Sequence, residues 1–325
     1  MSWARQLPVV ALLAVYSHSI ALGQPQGSDQ QRLESPHRPI LLNAAAVRTF
    51  DVLIRREVLH DIAPRNVRRA VSFKRVIVDL DKKRFLALTE GTSYTLKEST
   101  ARETVRRAGM LHFDGRTYRA DPIGQIRLVK SDLYGELSSI GIFDWRMIGV
   151  QQFPFAWYAP AHGFSFDAHL AKSLRPGTLA KVEEVPRKPD LLRIFRRTIS
   201  DHPEVLGNDW DWRIDKTTLM PVEFTRSIRW KRDGVIKTAV ERRETYQWQD
   251  RDGIYLPKSV TAEELASEDG IEYVVETNAQ FHWFFVNEPI SEERFSQRYL
   301  TDPTAFQDLI DPSRCGASDL ITSEE

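Results

Sequence analysis

The sequence contains little cysteine, no excess of either charge and none of the short motifs that usually mark an active site. Its single cysteine, Cys315, cannot form an intramolecular disulfide. Basic and acidic residues are equal in number, 45 of each among 325. This balance argues against a nucleic-acid-binding protein, because affinity for phosphate comes mainly from an excess of Lys and Arg.

The absent motifs include HExxH, paired CxxC, the EF-hand loop, the GxSxG nucleophile elbow, the GxxxxGK[ST] phosphate loop and the GxGxxG dinucleotide motif. His162 and His169 flank Asp167, but a glycine between them disfavours the helix that would bring the two rings together. Adjacent carboxylates such as Glu183 and Glu184 point to opposite faces of a strand, so they do not form an acid and base pair. We therefore predict no catalytic residue, no metal site and no cofactor, and we do not expect an enzyme.

The N-terminus has the pattern of a secretory signal peptide over residues 1–23. Arg5 supplies the basic start, residues 7–16 form an apolar stretch too short to span a bilayer, and small residues precede a predicted cleavage after Gly23. Residues 24–39 are rich in Gln, Ser, Pro and charge, which predicts a disordered leader. The mature chain is expected in the periplasm or outside the cell, without a stable transmembrane anchor.

Alternation of apolar and polar residues dominates the chain and is strongest between residues 207 and 286. The stretch WDWRIDKTTLMP, from Trp210 to Pro221, joins two alternating segments through an acidic turn, and WQDRDGIYLPKSV, from Trp248 to Val260, repeats the arrangement. Period two on both sides of a turn indicates antiparallel strands with one apolar face. Dipeptides typical of turns occur here at Gly207-Asn208, Asp233-Gly234, Asp252-Gly253 and Asp269-Gly270, and earlier in the chain at Asp114-Gly115, which predicts a hairpin over residues 105–118.

These patterns predict one mainly β domain over residues 40–311, because no linker rich in Gly, Ser or Pro divides the strands. We count about 10–11 strands between residues 50 and 286. The segment 271–285 keeps one phase throughout, and so long a one-sided strand implies a large, strongly curved sheet around a core or cavity. Short helices are predicted over residues 40–47 and 304–310, and a disordered tail over residues 312–325.

The middle of the chain, residues 122–177, loses the alternation and is interrupted by glycines and prolines. A loop of this length in a β domain is usually functional or covers another part of the protein. We predict a lid that closes over an apolar cavity, and a fixed plug in the open end of a barrel is an equally good interpretation. The aromatic lid residues would be Phe153, Phe155, Trp157, Tyr158, Phe164 and Phe166.

The phrases W-x-W-x-I-D-x-x-x-x-x-P-V and W-x-x-x-D-G-x-x-L-P-K-S-V, followed by an aromatic strand, resemble LolA-like proteins. These belong to the LolA/LolB superfamily of outer-membrane lipoprotein carriers, to which the N-terminal domain of the RseB regulators is also similar. The resemblance covers roughly residues 42–289, and this chain is longer than the bacterial carrier. It implies an unclosed β half-barrel whose concave apolar face, covered by a helical lid, accepts acyl chains.

The leading hypothesis is an exported monomer that carries or senses an apolar ligand, a lipid or a lipidated protein, on the concave face, without enzymatic activity. Burial of acyl surface would drive binding, at about 0.8 kcal/mol per methylene. The alternative is an envelope interaction or sensing module of the RseB type, which binds a partner protein and no lipid. The predicted ligand-lining residues are Trp212, Phe224, Trp230, Tyr246, Trp248, Tyr273, Phe281 and Trp283.

Overall fold

A computed structural model describes residues 38–62, 66–97, 100–129, 181–197, 205–232, 234–268 and 271–321. The predicted signal peptide, nearly all of the leader and the lid from residue 130 onward lie outside these ranges. All six predicted lid aromatics are among the residues that are not described.

The protein is mainly β, and its strands form one antiparallel sheet that is not closed into a barrel in the described ranges. The described ranges contain thirteen strands, where the sequence predicted about 10–11 between residues 50 and 286. One short strand, β6, lies inside the segment predicted as a lid, so that prediction is wrong for residues 126–129, and another, β7, follows that segment. The strands are β1 Thr49–Ile62, β2 Asn66–Asp79, β3 Arg84–Lys97, β4 Thr100–Phe113, β5 Arg116–Ala120, β6 Ile126–Val129, β7 Lys181–Val185, β8 Lys188–Arg197, β9 Val205–Asp215, β10 Pro221–Arg232, β11 Val235–Arg251, β12 Ile254–Glu268 and β13 Ile271–Val286.

The strand order is β6-β5-β4-β3-β2-β1-β13-β12-β11-β10-β9-β8-β7. The first and last strands pair at the centre, from Phe50 opposite Val286 to His60 opposite Val275. The edge strands β6 and β7 follow each other in the sequence. Because every neighbouring pair is antiparallel and eleven strands lie between them, β6 and β7 run in the same direction. They could therefore not close the sheet as an antiparallel pair.

Two predicted tight turns are confirmed. Asp114 and Gly115 both have positive φ between β4 and β5, and so do Asp252 and Gly253 between β11 and β12. The predicted turn at Gly207-Asn208 is wrong, because Gly207 lies inside β9 with φ 125°. It sits where the β9–β10 register shifts, so its freedom at positive φ serves a bulge and not a turn.

The face of the sheet that we call the aromatic face is covered at one end by helix α1, Arg38–Ala45. Alternate strand residues place their apolar side chains on this face, as the period of two requires. Ile40 and Ala44 of α1 are buried against Phe50, Val76 and Leu256 in one cluster. The predicted short helix after Pro39 is thereby confirmed.

The opposite face, which we call the C-terminal face, is covered at the same end of the sheet by the residues after β13. Asp302 accepts a hydrogen bond from Thr304 N at 2.8 Å and begins α3, as the sequence predicted, while Asp311 caps α4 in the same way. The elements are a 3₁₀ turn at Glu292–Phe295, α2 Arg298–Thr301, α3 Pro303–Ile310, α4 Pro312–Cys315 and a 3₁₀ turn at Ser318–Leu320.

The predicted disordered tail is wrong for residues 312–321. Ala317 and Leu320 are buried in the cluster that also holds Leu53, Ile77 and Phe306. His282 Nδ1 on β13 lies 2.6 Å from Asp319 Oδ1. A segment with few apolar residues can thus be ordered, because the sheet supplies the apolar surface on which it packs.

Candidate functional site: the two faces of the sheet

All eight predicted ligand-lining residues lie on strands β9 to β13, and the pairing places them on the aromatic face. Five of them are buried, with exposed fractions of 3% to 8%. Their rings contact one another, with centroids 5.2 Å apart for Trp212 and Phe224 and 6.5 Å apart for Phe281 and Trp283. The buried residues are Trp212, Phe224, Tyr246, Phe281 and Trp283.

The repeated proline at the opening of a strand has a structural explanation. Trp248 Nε1 donates to the carbonyl of Pro221 at 2.6 Å, and Trp283 Nε1 donates to the carbonyl of Pro257 at 2.9 Å. Each indole therefore finds its acceptor on the neighbouring strand. In both sequence phrases the proline carbonyl thus holds a tryptophan of the next strand in place. Trp248 itself is half-buried against the cluster that contains Trp283.

The remaining two residues, Trp230 and Tyr273, lie farther along the strands, away from α1, and are half-buried. Tyr273 is near His60, with ring centroids 6.3 Å apart. Neither residue belongs to the buried cluster around Trp283. The predicted set thus divides into a packed core and two aromatic residues beyond it.

A buried ionic network lies on the aromatic face, between the packed aromatic core and the pair Trp230 and Tyr273. The sequence analysis did not predict it. Arg242, Glu244 and Tyr246 follow each other at every second position of β11. The Arg242 guanidinium contacts Glu244 and reaches Glu264 Oε2 at 2.6 Å, while the Tyr246 hydroxyl donates to Glu244. Burial raises the pKa of Tyr246 and of Glu264. The sequence did contain a signal for this network, because Arg242, Glu244 and Tyr246 alternate along β11 on the same face as Trp248.

Two further cations face this network from the centre of the sheet. Burial, aided by the charge of Arg242, lowers the pKa of Arg56 to about 10. Burial, aided by the charge of Arg56, lowers the pKa of Lys74 to about 7. The Nε atom of Arg56 is buried without a hydrogen-bond partner in the described ranges. The small residues Ala262 and Ala279 on intervening strands leave room for these long side chains.

The C-terminal face differs between its two ends. Near α3 it is packed, and a pocket of about 400 Å³ lies between the β4–β5 hairpin and Phe295. At the other end, Leu265 is 39% exposed and Val274 is 44% exposed, and the two are directly opposite each other on β12 and β13. Ile236 and Val240 of β11 are also exposed on this face, since they pair with Lys231 and Ser227.

We call this surface the distal patch. Its members share the C-terminal face and the end of the sheet away from α3, and no helix of the described ranges covers them. They are Ile236, Val240, Leu265 and Val274, with the exposed acidic residues Glu263, Glu272 and Glu276 beside them.

Other kinds of site are absent from the described part of the chain. No group of three or more His, Cys, Asp or Glu side chains is placed to hold a metal ion there. No helix in those ranges is both long and apolar enough to cross a bilayer. Cys315 is half-buried, and burial raises the pKa of its thiol, which disfavours the reactive thiolate.

Fold and surface together define an open antiparallel β-sheet protein with one packed aromatic face and a second face that is partly uncovered. No protein-family model and no curated protein matches the chain.

The solved structures that align over most of the sequence include the following three. A porin-like protein from Bacteroides uniformis has 10% identity and a TM-score of 0.25, covering 72% of this chain and 97% of its own. MucB in complex with MucA(peri) has 8% identity and a TM-score of 0.17, covering 76% and 93%. The MucA/MucB complex of Pseudomonas aeruginosa has 10% identity and a TM-score of 0.15, covering 75% and 94%. Likenesses this weak assign neither a family nor a function.

Proposed function

We propose that the protein is a non-enzymatic binding module of the cell envelope that recognises another polypeptide on the C-terminal face of its sheet. The observation that carries this proposal is the exposed pair Leu265 and Val274, which face each other on adjacent strands, while Ile236 and Val240 are exposed on the same face of the sheet. Contiguous apolar side chains left in water on a soluble protein usually mark an interaction site. The location in the envelope follows from the signal peptide predicted over residues 1–23.

The packing of the aromatic face supports a polypeptide partner over an acyl chain. Most of the rings predicted to line a lipid site are buried against one another and against α1. The indole N–H groups of Trp248 and Trp283 already donate to backbone carbonyls. An acyl chain entering between these rings would have to displace well-packed side chains, and such disruption is unfavourable.

The first test is native mass spectrometry with lipid extraction on the mature chain from Gln24, exported to the periplasm and purified without detergent. We expect the measured mass to equal the mass calculated from the sequence of the mature chain, with no bound lipid. A co-purifying lipid that disappears in the folded Trp283→Asp variant would favour the carrier hypothesis and contradict our proposal. The circular dichroism spectrum serves to show that the variant is folded.

The second test places a photoreactive amino acid at Val274 and, as a matched control, at Leu219. Both side chains are exposed and apolar, but Leu219 lies in the β9–β10 turn. We expect a discrete polypeptide adduct at Val274 that is lost with Leu265→Asp and absent at Leu219. The adduct is then identified and reconstituted from the purified partner. Equal labelling at both positions would contradict the proposal.

A further inference from the structure

The distal patch contains an unfavourable arrangement of charge. Glu263 on β12 and Glu276 on β13 are directly opposite each other in the register, next to the exposed pair Leu265 and Val274. Side chains opposite each other on one face of an antiparallel pair have Cβ atoms about 4.5–5.5 Å apart, and like charges at that separation repel. The sheet therefore holds two carboxylates together at the edge of its exposed apolar surface.

The neighbouring strands offset this charge only in part, with one arginine for three carboxylates. Arg243 of β11 is opposite Glu263 on its other side, and Leu59 of β1 is opposite Glu276. No ion pair within 4 Å joins Glu263, Glu276 or Glu272 to another residue of the described ranges. The three carboxylates are thus solvated and available to a cation from outside the chain.

Acidic and apolar residues alternate along both strands of the patch. Glu272, Val274 and Glu276 share one face of β13, while Glu263 and Leu265 share the same face of β12. On a strand, such positions are about 6.6–6.8 Å apart. An extended polypeptide with basic residues at every second or third position and apolar residues between them would match both the carboxylates and the apolar side chains of the patch.

Keeping the free protein soluble is not a sufficient reason for this arrangement. A single charge beside Leu265 or Val274 would already discourage face-to-face association of two copies, and β12 and β13 are interior strands with no free edge. Two carboxylates facing each other add repulsion within the folded chain, which Arg243 opposite Glu263 offsets only in part, and a bound cation relieves the remainder. We infer that the distal patch binds a basic amphipathic segment of a partner protein. This inference rests on the function proposed above and adds the chemical class of the partner.

The inference is tested with two labelled ten-residue peptides, one alternating Lys and Leu and the other alternating Glu and Leu. Binding to the mature chain is measured by fluorescence anisotropy at low and at 0.5 M salt. We expect the basic peptide to bind at least tenfold more tightly than the acidic one. High salt should weaken its binding, because exposed charges are screened.

Two matched double variants remove the same charge from different surfaces. The variant Glu263→Gln with Glu276→Gln should weaken the basic peptide at least tenfold. The control Glu103→Gln with Glu293→Gln, which changes exposed residues outside the patch, should alter its affinity less than twofold. Unchanged affinity in the patch variant, or equal binding of both peptides, overturns the inference.

A third variant separates this inference from the proposed function. If Leu265→Ser with Val274→Ser weakens both peptides while the Glu-to-Gln pair has no effect, docking at the patch stands and the basic class of partner is wrong. If neither peptide binds and position 274 yields no adduct, both proposals fail. A concentration-dependent dimer in sedimentation that Val274→Asp abolishes identifies a second copy as the occupant, which also overturns the inference.

Discussion

Arg75 and Asp51 form a bidentate ion pair in the interior of the protein. The Nε and Nη2 atoms of Arg75 donate to the two carboxylate oxygens of Asp51, each at 2.8 Å, and the side chains are 3% and 1% exposed. Arg75 Nη1 also donates to the carbonyl of Leu309 at 2.8 Å, and the guanidinium lies 3.8 Å from the Phe284 ring centroid. This pair therefore fastens helix α3 to the centre of the sheet.

Substituting Asp51 by Ala should destabilise the protein strongly. Removing one partner of a buried ion pair leaves the other charge uncompensated, at a cost of about 3–5 kcal/mol. Urea denaturation followed by tryptophan fluorescence measures the change. The matched control is Asp81→Ala, which removes the partner of Arg48 in an exposed pair and should change stability little. Similar losses in the two variants would contradict the structural role of Arg75 and Asp51.

Truncation after Asp311 should destabilise the sheet, although the sequence predicted a disordered tail there. The deletion removes the buried residues Ala317 and Leu320, and burial of one leucine side chain alone contributes about 1.5–3 kcal/mol. Thermal unfolding of the truncated chain measures the loss. The control ends at residue 321, and its melting temperature should equal that of the full chain. Equal stability of all three chains would refute the packed tail.

Lys74 should make stability depend on pH above neutrality. Its pKa in the folded chain is about 7, whereas an ordinary lysine has a pKa of 10.5. Between these values the unfolded chain binds a proton that the folded chain does not, so the free energy of unfolding rises with pH from about 7 to about 10. The Lys74→Met variant should lose this slope.

At pH 7 and below the same variant should be more stable than the parent by on the order of 2 kcal/mol, because the charged amine is no longer held beside Arg56. Unfolding in urea at several pH values between 6.5 and 9.5 measures both effects. Lys82→Met, at an exposed position in the β2–β3 turn, is the control. Parallel pH profiles for the parent and Lys74→Met would disprove the prediction.

Trp283 should behave as a core residue. Its ring packs against Phe50 and Phe281, with centroids 6.1 Å and 6.5 Å away, and its N–H is bonded to the carbonyl of Pro257. Replacement by Ala should therefore destabilise the fold by about 3–5 kcal/mol. Trp230→Ala, outside the buried cluster, should have a smaller effect on the denaturation midpoint. A fully stable Trp283→Ala protein would instead point to a ligand-facing ring.

Much of the local structure was predictable from the sequence. Strands β9 to β13 follow from the period of two, and the hairpins at Asp114-Gly115 and Asp252-Gly253 follow from dipeptides that tolerate positive φ. The shared face of the eight aromatic residues followed from the same alternation. Gly207 shows the limit, because a glycine at positive φ serves a turn or a bulge and only the neighbouring strand decides between them.

The sequence by itself determined the elements whose cause is local: alternating strands, tight turns, the cap at Asp302 and the apolar character of one face. Only the tertiary structure decided that β1 pairs with β13, that residues 312–321 pack on the sheet and that Arg242 meets Glu264. It also decided that Leu265 and Val274 stay exposed while Trp283 is buried. The physical reason is that these properties depend on contacts between residues distant in the chain, which no local period records.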